Sequence, residues 1–376
     1  MSRVIYFDNA ATTPITKDVV DAMLPYFNEY FGNPSSIYSH GRETRAAIET
    51  ARKTIAKLLN AHTSEIIFTS GGTEANNMAI KGAVQYLGVQ TIISSKIEHH
   101  CVLHTLEYLE KYHQVKIEYV ALDEKGIVDL AHLETLLQQG SEKKLVSLMH
   151  ANNEIGNLLP INDVAILCEK YNAYLHSDTV QTFGHISIDT QAVAVDFLSG
   201  SAHKFHGPKG VGFLYMRKKN KVQSFIHGGG QERGFRAGTE NVYGIVGMAK
   251  AAEIAYQNLD KDAAYILSIK QYFIQQLQES FDDIQICGNM ENSLYTVLNI
   301  SFPNKENTMM LLFNLDIKGV CASGGSACSS GAATGSHVIQ AILPNVDRVN
   351  VRFSFSKLNT TEEVDVVIQS LKAILV

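Results

Sequence analysis

The chain has 376 residues and five cysteines, Cys101, Cys168, Cys287, Cys321 and Cys328, with no CxxC pair among them. An odd number at wide spacing excludes a disulfide framework and a structural zinc ribbon, so any cysteine that matters does so as a thiol, and a reducing cytoplasm is the simplest setting. No apolar run approaches the about 20 residues that a membrane helix requires. The chain leads at once into apolar Val4-Ile5-Tyr6-Phe7, which leaves no room for a cleavable signal. Neither sign of charge dominates: 32 basic against 38 acidic residues give a net charge of −6, which offers no bulk attraction to nucleic acid or to a membrane surface. There is no internal repeat, no low-complexity tract, no P-loop GK[ST] and no GxGxxG fingerprint, and the last absence disfavours a nicotinamide oxidoreductase.

What is present is enough apolar residue, 45%, to bury a large core, and a regular alternation. Strand-like runs at Glu65–Thr69, Thr91–Ser95, Val115–Ala121, Lys144–His150, Ala173–Asp178, Val193–Ser199 and Gly210–Met216 are separated, in the earlier part, by helical patterns such as Thr73–Tyr86, His99–Lys111, Leu130–Gln138 and Ile161–Tyr171. Strands alternating with helices of this length predict crossover connections and a mostly parallel α/β sheet covered by helices on both faces. Thr44–Leu59 reads as an amphipathic helix ahead of this block. Past residue 260 the pattern becomes a long helix (Ala263–Phe281), strands at Tyr295–Phe302, Ile317–Cys321 and Val349–Phe355, and a closing helix from Thr360. The expected division is a large domain, 1–260, and a smaller α+β domain, 261–376, with the N-terminal ~15 residues packing against the latter and ligands bound in the cleft between.

Four local patterns carry chemistry. Thr69-Ser70-Gly71-Gly72-Thr73-Glu74 joins a strand to a helix through two glycines, a junction whose free N–H groups seat an anion, although an ordinary capped helix has the same signature. Lys204, among the small and turn-forming residues Ser199 to Gly210, is either a solvated loop lysine or one that forms a Schiff base with a carbonyl. Asp178 ends a parallel strand, where side chains face the ligand crevice, and its competing role is to cap the next turn. Cys328 lies in Ser323-Gly324-Gly325-Ser326-Ala327-Cys328-Ser329-Ser330-Gly331, a composition that predicts an exposed loop and so a thiol kept for reactivity rather than packing. No cation in the nearby sequence would activate it.

Together with Asp8-Asn9-Ala10-Ala11-Thr12-Thr13-Pro14, Phe31-Gly32-Asn33-Pro34, Asn152-Asn153-Glu154-Ile155-Gly156, His227-Gly228-Gly229-Gly230 and Arg233-Gly234-Phe235-Arg236-Ala237-Gly238-Thr239, these patterns give a chain that resembles, over nearly its whole length, the cysteine desulfurases of the NifS/IscS group within the class V, fold type I, aminotransferase-like enzymes. The resemblance implies pyridoxal 5'-phosphate as cofactor, Lys204 as its lysine, Asp178 as partner of the ring nitrogen, Gln181 on the phenolic oxygen and His99 stacked on the ring. It places the phosphate on Gly72, Thr73, Ser201 and His203, with Thr239 reaching over from the second subunit of a homodimer. Arg352 pairs with the substrate carboxylate, Asn153 orients the substrate, and Cys328 accepts sulfur from L-cysteine. One departure is Ala202, where the family usually has glycine before His-Lys.

The same resemblance leaves two sulfur acceptors open, an iron–sulfur scaffold or a tRNA-thiolation enzyme; Val376 follows the last predicted helix directly, whereas scaffold-docking members often continue with a tail. Competing activities are a fold relative acting on selenocysteine, cysteine sulfinate or an amino group, which could dispense with Cys328, and a catalytically silent scaffold, which gives no reason for lysine, acid and loop cysteine to coincide. His100 and His104 stand at i, i+4 on a helix but lack the third and fourth ligands of a zinc site, so no metal is expected. Arg217-Lys218-Lys219-Asn220-Lys221 is either a solvated loop or a contact for an acidic partner.

Overall fold

The computed structural model describes residues 4–325, 336–344 and 347–375. Its strands, in chain order, are β1 (Ile5–Tyr6), β2 (Ile66–Thr69), β3 (Thr91–Ser94), β4 (Lys116–Tyr119), β5 (Lys144–Ser147), β6 (Tyr174–Asp178), β7 (Phe197–Ser201) and β8 (Gly212–Met216). They are followed by β9 (Gln285–Cys287), β10 (Val297–Pro303), β11 (Val320–Cys321) and β12 (Arg348–Ser354). Seven strands form one sheet in the order β2-β8-β7-β6-β5-β3-β4. All neighbours are parallel except β8, which runs antiparallel to both β2 and β7. β2, β3, β5, β7 and β8 are buried at every position, which is why they read as continuous apolar runs and not as alternating ones.

Helices cover the sheet. Ser39–Leu58 lays Ile48, Ala51 and Ile55 into the core beside Val242–Gln257, and Gly72–Leu87 presents Ala75, Met78, Ala79 and Ala83 to a second cluster with Ile67, Ile92 and Phe197. The helix Val242–Gln257 had no counterpart in the sequence reading. Its buried positions, among them Val242, Gly244, Ile245, Gly247, Met248, Ala249, Ala251 and Ala252, run around most of its circumference, which erases the one-sided stripe that periodicity detects.

β12, β10 and β9 form a separate antiparallel sheet. Helices Leu259–Ser280 and Thr361–Leu375 share its core through Ile266, Phe273, Leu277, Val364, Val367 and Leu371. The chain's first segment belongs here: β1 pairs with β11, Asp8 bridges to Ser354, and Phe7 packs against Phe273 and Phe355. The span Ile317–Cys321, expected as strand, is instead the end of helix Leu311–Ile317, a left-handed Gly319 (φ 79°) and the two residues of β11. Glycine tolerates that φ, and the apolar residues on either side of it conceal the break.

One buried ion pair fixes the segment that carries the Thr239 motif. The Arg52 guanidinium meets Glu232 in a two-point contact, 2.7 and 2.8 Å, and Glu232 also accepts from the Phe68 N–H at 2.8 Å. Glu232 and Arg233 hold left-handed backbone (φ 45° and 58°), conformations that persist where surrounding contacts over-determine them. Glu232→Ala removes the two-point partner of the buried guanidinium and leaves it Glu49 at 3.1 Å and the Ile66 carbonyl, and a loss of about 1–3 kcal/mol is expected. Urea unfolding measures it, and an unchanged midpoint contradicts the assignment.

Candidate active site

The first wall of the site is the junction the sequence singled out. β2 ends at Thr69, Gly71 adopts φ 154°, and helix Gly72–Leu87 begins with no side-chain cap. The helix's first backbone bond is Ala75 N–H to Gly71 C=O, so the Gly72, Thr73 and Glu74 N–H groups have no acceptor within the helix. A Cβ on Gly72 would lie 2.5 Å from Val180 Cγ2, so the closeness of this helix end to the Asp178 loop depends on glycine. Ser201, the last residue of β7, and His203, just after it, line the same space. Burial, reinforced by Lys204 and Lys209, pushes the His203 imidazole down to about 4, so near neutral pH it offers a hydrogen bond and not a charge.

Lys204, on the short turn Ala202–Lys204, sends its ammonium to the backbone carbonyls of Ala10 and Ala11. The Ala202 methyl that departs from the family pattern sits where Gly207 has no side chain; a Cβ at Gly207 would come within 2.8 Å of it. Asp178 closes β6 and lines the cavity. One of its oxygens accepts from Asn76 Nδ2 (2.7 Å) and the other from the Val180 N–H (2.9 Å). Behind Asn76 a buried chain continues: Asn76 Oδ1 to His176 Nε2 at 3.0 Å, then His176 Nδ1 to Ser147 Oγ at 2.9 Å. Burial pushes His176 down to about 4, and the neutral ring relays this chain by donating at Nε2 and accepting at Nδ1.

Gln181 donates to Ala10 C=O at 3.1 Å, and His99 caps helix His100–His113 by accepting from the Cys101 N–H. Burial pushes the His99 imidazole down, against an opposing pull from Asp178, and Lys204, His337 and His104 add to the lowering. Arg352, on β12, is buried. Its Nη1 donates to Asn153 C=O and its Nη2 to Asp8 Oδ1, both at 2.8 Å, while among the described residues Nε has no partner. An unpaired buried guanidinium N–H on a cavity wall suits an incoming carboxylate.

Lys204, Asp178, Gln181, His99, Gly72, Thr73, Ser201, His203, Asn153 and Arg352 thus line one cavity of about 210 Å³, together with Asn76, Cys101 and Met149. Thr239 is exposed and outside the lining of its own chain's cavity, and Cys328 lies outside the described residues. Asn76 and the His176 relay escaped the sequence reading, because an asparagine inside a helix and a histidine inside a strand carry no local mark of what they touch. Elsewhere, Lys219 of the basic run pairs with Asp196 at 3.2 Å, and the His100 and His104 rings stack 5.3 Å apart.

The donor set fits pyridoxal phosphate. A helix end with three unpaired N–H groups and a serine beside it suits a phosphate, Asp178 with its two hydrogen bonds suits a protonated pyridine nitrogen, and Lys204 suits an aldehyde. This is the chemistry of a pyridoxal-phosphate-dependent transferase.

Residues 5–367 match the aminotransferase class-V family. The chain is 46% identical over 379 residues to the cysteine desulfurase IscS of Dictyoglomus turgidum, covering all of this chain and 95% of that one. It is 42% identical over 382 residues to the cysteine desulfurase IscS of Clostridium botulinum, with the same coverage. Among solved structures, a NifS-like protein superposes with a TM-score of 0.91 at 38% identity, covering 99% of both chains. SspA in complex with cysteine superposes with a TM-score of 0.83 at 32% identity, covering 94% of this chain and 99% of that one. The chain belongs to the class-V aminotransferase family and, within it, to the cysteine desulfurases.

Proposed function

We propose that the chain releases sulfur from L-cysteine as a persulfide on Cys328, with L-alanine as co-product, and passes that sulfur to an acceptor protein. The observation that carries the reading is the convergence of Lys204, Asp178, His99 and Arg352 on one cavity. Bound pyridoxal phosphate supplies an electron sink conjugated to the substrate Cα. The chain's own residues do the rest. Gly72 and Thr73 N–H, with Ser201 and His203, hold the phosphate; Asp178, kept in place by Asn76, holds a proton on the ring nitrogen; and Gln181 approaches the phenolic oxygen.

The Nε edge of Arg352 takes the substrate carboxylate and Asn153 orients it. Lys204 moves the Cα proton. His99, held neutral by burial, accepts the proton of the substrate thiol at Nδ1, its one proton-free nitrogen, which releases the Cys101 N–H it otherwise caps. The Cys328 thiolate attacks the substrate sulfur: an S–S bond forms, the Cβ–S bond breaks, its electron pair stays on carbon, and protonation there yields alanine. L-cysteine and one enzyme thiol therefore become L-alanine and one enzyme persulfide.

The assembly we infer is a homodimer in which Thr239 completes the partner's phosphate site. Exposed apolar side chains on one stretch of the chain, Phe27 stacked on Tyr243 at 4.5 Å with Phe31 and Ile37 nearby, support a second copy covering this face. We infer a two-domain division at 1–260 and 261–376, which the separate seven-stranded and three-stranded sheets support. Cys101, Cys168, Cys287 and Cys321 are free thiols, which supports a reducing, cytoplasmic setting, and among the described residues no helix is long and apolar enough to cross a membrane. The acceptor is an iron–sulfur scaffold or a tRNA-thiolation enzyme.

Intact-mass analysis after incubation of the holoenzyme with L-cysteine tests the reading. The expected result is a gain of one sulfur that maps to Cys328 together with stoichiometric alanine; sulfur gain elsewhere, or alanine without it, overturns the assignment.

A further inference from the structure

Glu154 is a buried acid that the chemistry above does not use. It has no solvent exposure, and among the described residues its carboxylate has one hydrogen-bond partner, the Ser336 hydroxyl, which donates to Oε2 at 2.5 Å. Among the same residues Oε1 has none, and His337 Nδ1 stands 3.9 Å away. A hydroxyl bond to a carboxylate contributes more than one between neutral groups, and a buried acid is costly to keep unless it is hydrogen-bonded.

What it holds lies at both ends of one segment. Ser336 and Gly325 are the described residues that flank positions 326–335, the stretch containing Cys328. Ser336 hydrogen-bonds the carboxylate and also caps helix His337–Ile342 by accepting from the Ile339 N–H at 3.1 Å. Gly325 packs so tightly on the same carboxylate that a Cβ there would lie 3.3 Å from Oε2 and 3.2 Å from Ser336 Cβ. His337 adds a second tie, donating from Nε2 to Glu98 C=O at 2.9 Å and packing its ring, tilted by 40°, against His100 at 4.4 Å.

The backbone of Glu154 serves a different partner. Its N–H donates to Asn152 Oδ1 at 2.8 Å, its C=O accepts from Asn299 Nδ2 at 3.2 Å, and the carbonyl immediately before it, that of Asn153, holds Arg352 Nη1. Side chain and main chain therefore divide the work: the main chain fixes the substrate-carboxylate clamp, and the carboxylate fixes the neck of the segment bearing the nucleophile.

We propose that Glu154 is a positioning residue for sulfur transfer, pinning Gly325 and Ser336 beside the Asn153–Arg352 clamp through its carboxylate. The inference rests on the proposed function above. It also gives residues 154, 325 and 336, far apart in sequence, a common reason to be Glu, Gly and Ser. Glycine at 325 leaves room for the carboxylate, and serine at 336 supplies both a donor to it and a cap.

The test uses the holoenzyme and two readouts: the rate of persulfide formation on Cys328 from L-cysteine, and the dissociation constant of L-alanine measured from the change in coenzyme absorbance. L-alanine engages the carboxylate clamp and has no sulfur to transfer. Glu154→Ala is expected to slow persulfide formation by about tenfold or more, the cost of one charge-assisted bond, with the L-alanine constant within about twofold of the parent. Glu154→Gln, which keeps an oxygen for Ser336, is expected to recover most of the rate. Ser336→Ala cuts the same bond from the other side, should slow the same step, and serves if Glu154→Ala does not fold. Persulfide formation at the parental rate in Glu154→Ala, or a loss of rate matched by an equal loss of L-alanine affinity, overturns the proposal. Failure of the parent itself to form persulfide on Cys328 overturns the underlying reading instead.

Discussion

Lys204→Ala is expected to abolish covalent attachment of the coenzyme and to lower alanine formation from L-cysteine by about 10⁴-fold or more, because one substitution removes both the tether and the base that moves the Cα proton. The structure makes the assignment specific. Lys204 is the lysine that lines the cavity shared by Asp178 and Arg352, and its ammonium is drawn to the Ala10 and Ala11 carbonyls. Lys209 lines the adjoining phosphate-side space but is absent from the cavity that Asp178 lines. Borohydride reduction followed by peptide mapping checks the outcome: the parent should carry the coenzyme on the peptide containing Lys204, and the variant should lose it on denaturation. Coenzyme retained on Lys209 in the variant would refute the assignment.

Cys328→Ala should reduce protein-bound persulfide to background while leaving the affinity for L-alanine near that of the parent. The argument is one of elimination among thiols. Cys101 lines the cavity, yet burial and the nearby Asp178 charge push its thiol up to about 12. At pH 8 that leaves roughly one thiolate in 10⁴, a poor nucleophile. Cys168 and Cys287 are buried and shifted the same way. Cys321 is half-buried, and its thiol is raised by burial and by Asp316 and Asp8. Mass analysis of the variant after exposure to L-cysteine reads the result; sulfur appearing on Cys101 or Cys321 at the parental rate would sink the assignment.

The sequence made the alternating half of the molecule legible because buried parallel strands must be apolar throughout and their crossover helices must show a stripe. Leu130–Gln138 matches its expected bounds, and the junction at Gly72 and the acid at Asp178 stand where strand ends place them. Helix Val242–Gln257 was hidden by burial on most sides, and the antiparallel direction of β8 by the fact that an inner strand of either direction is apolar. Within the site, Lys204 stands out by type and setting, whereas Arg352 is marked only through the family resemblance. Asn76, His176 and Glu154 act through partners 29 to 182 positions away, and no local pattern records such partners.

The early strand that pairs with β11 sets an order of assembly. Phe7 has nothing to pack against until Phe273 and Phe355 exist, and the Ala10 and Ala11 carbonyls that receive Lys204 follow it directly. Contacts between stretches so distant in sequence are slow to close. The Ala10 and Ala11 carbonyls that receive the reactive amine are thus tied to the β12 sheet through the Asp8–Ser354 bridge, so their placement follows late, long-range pairing.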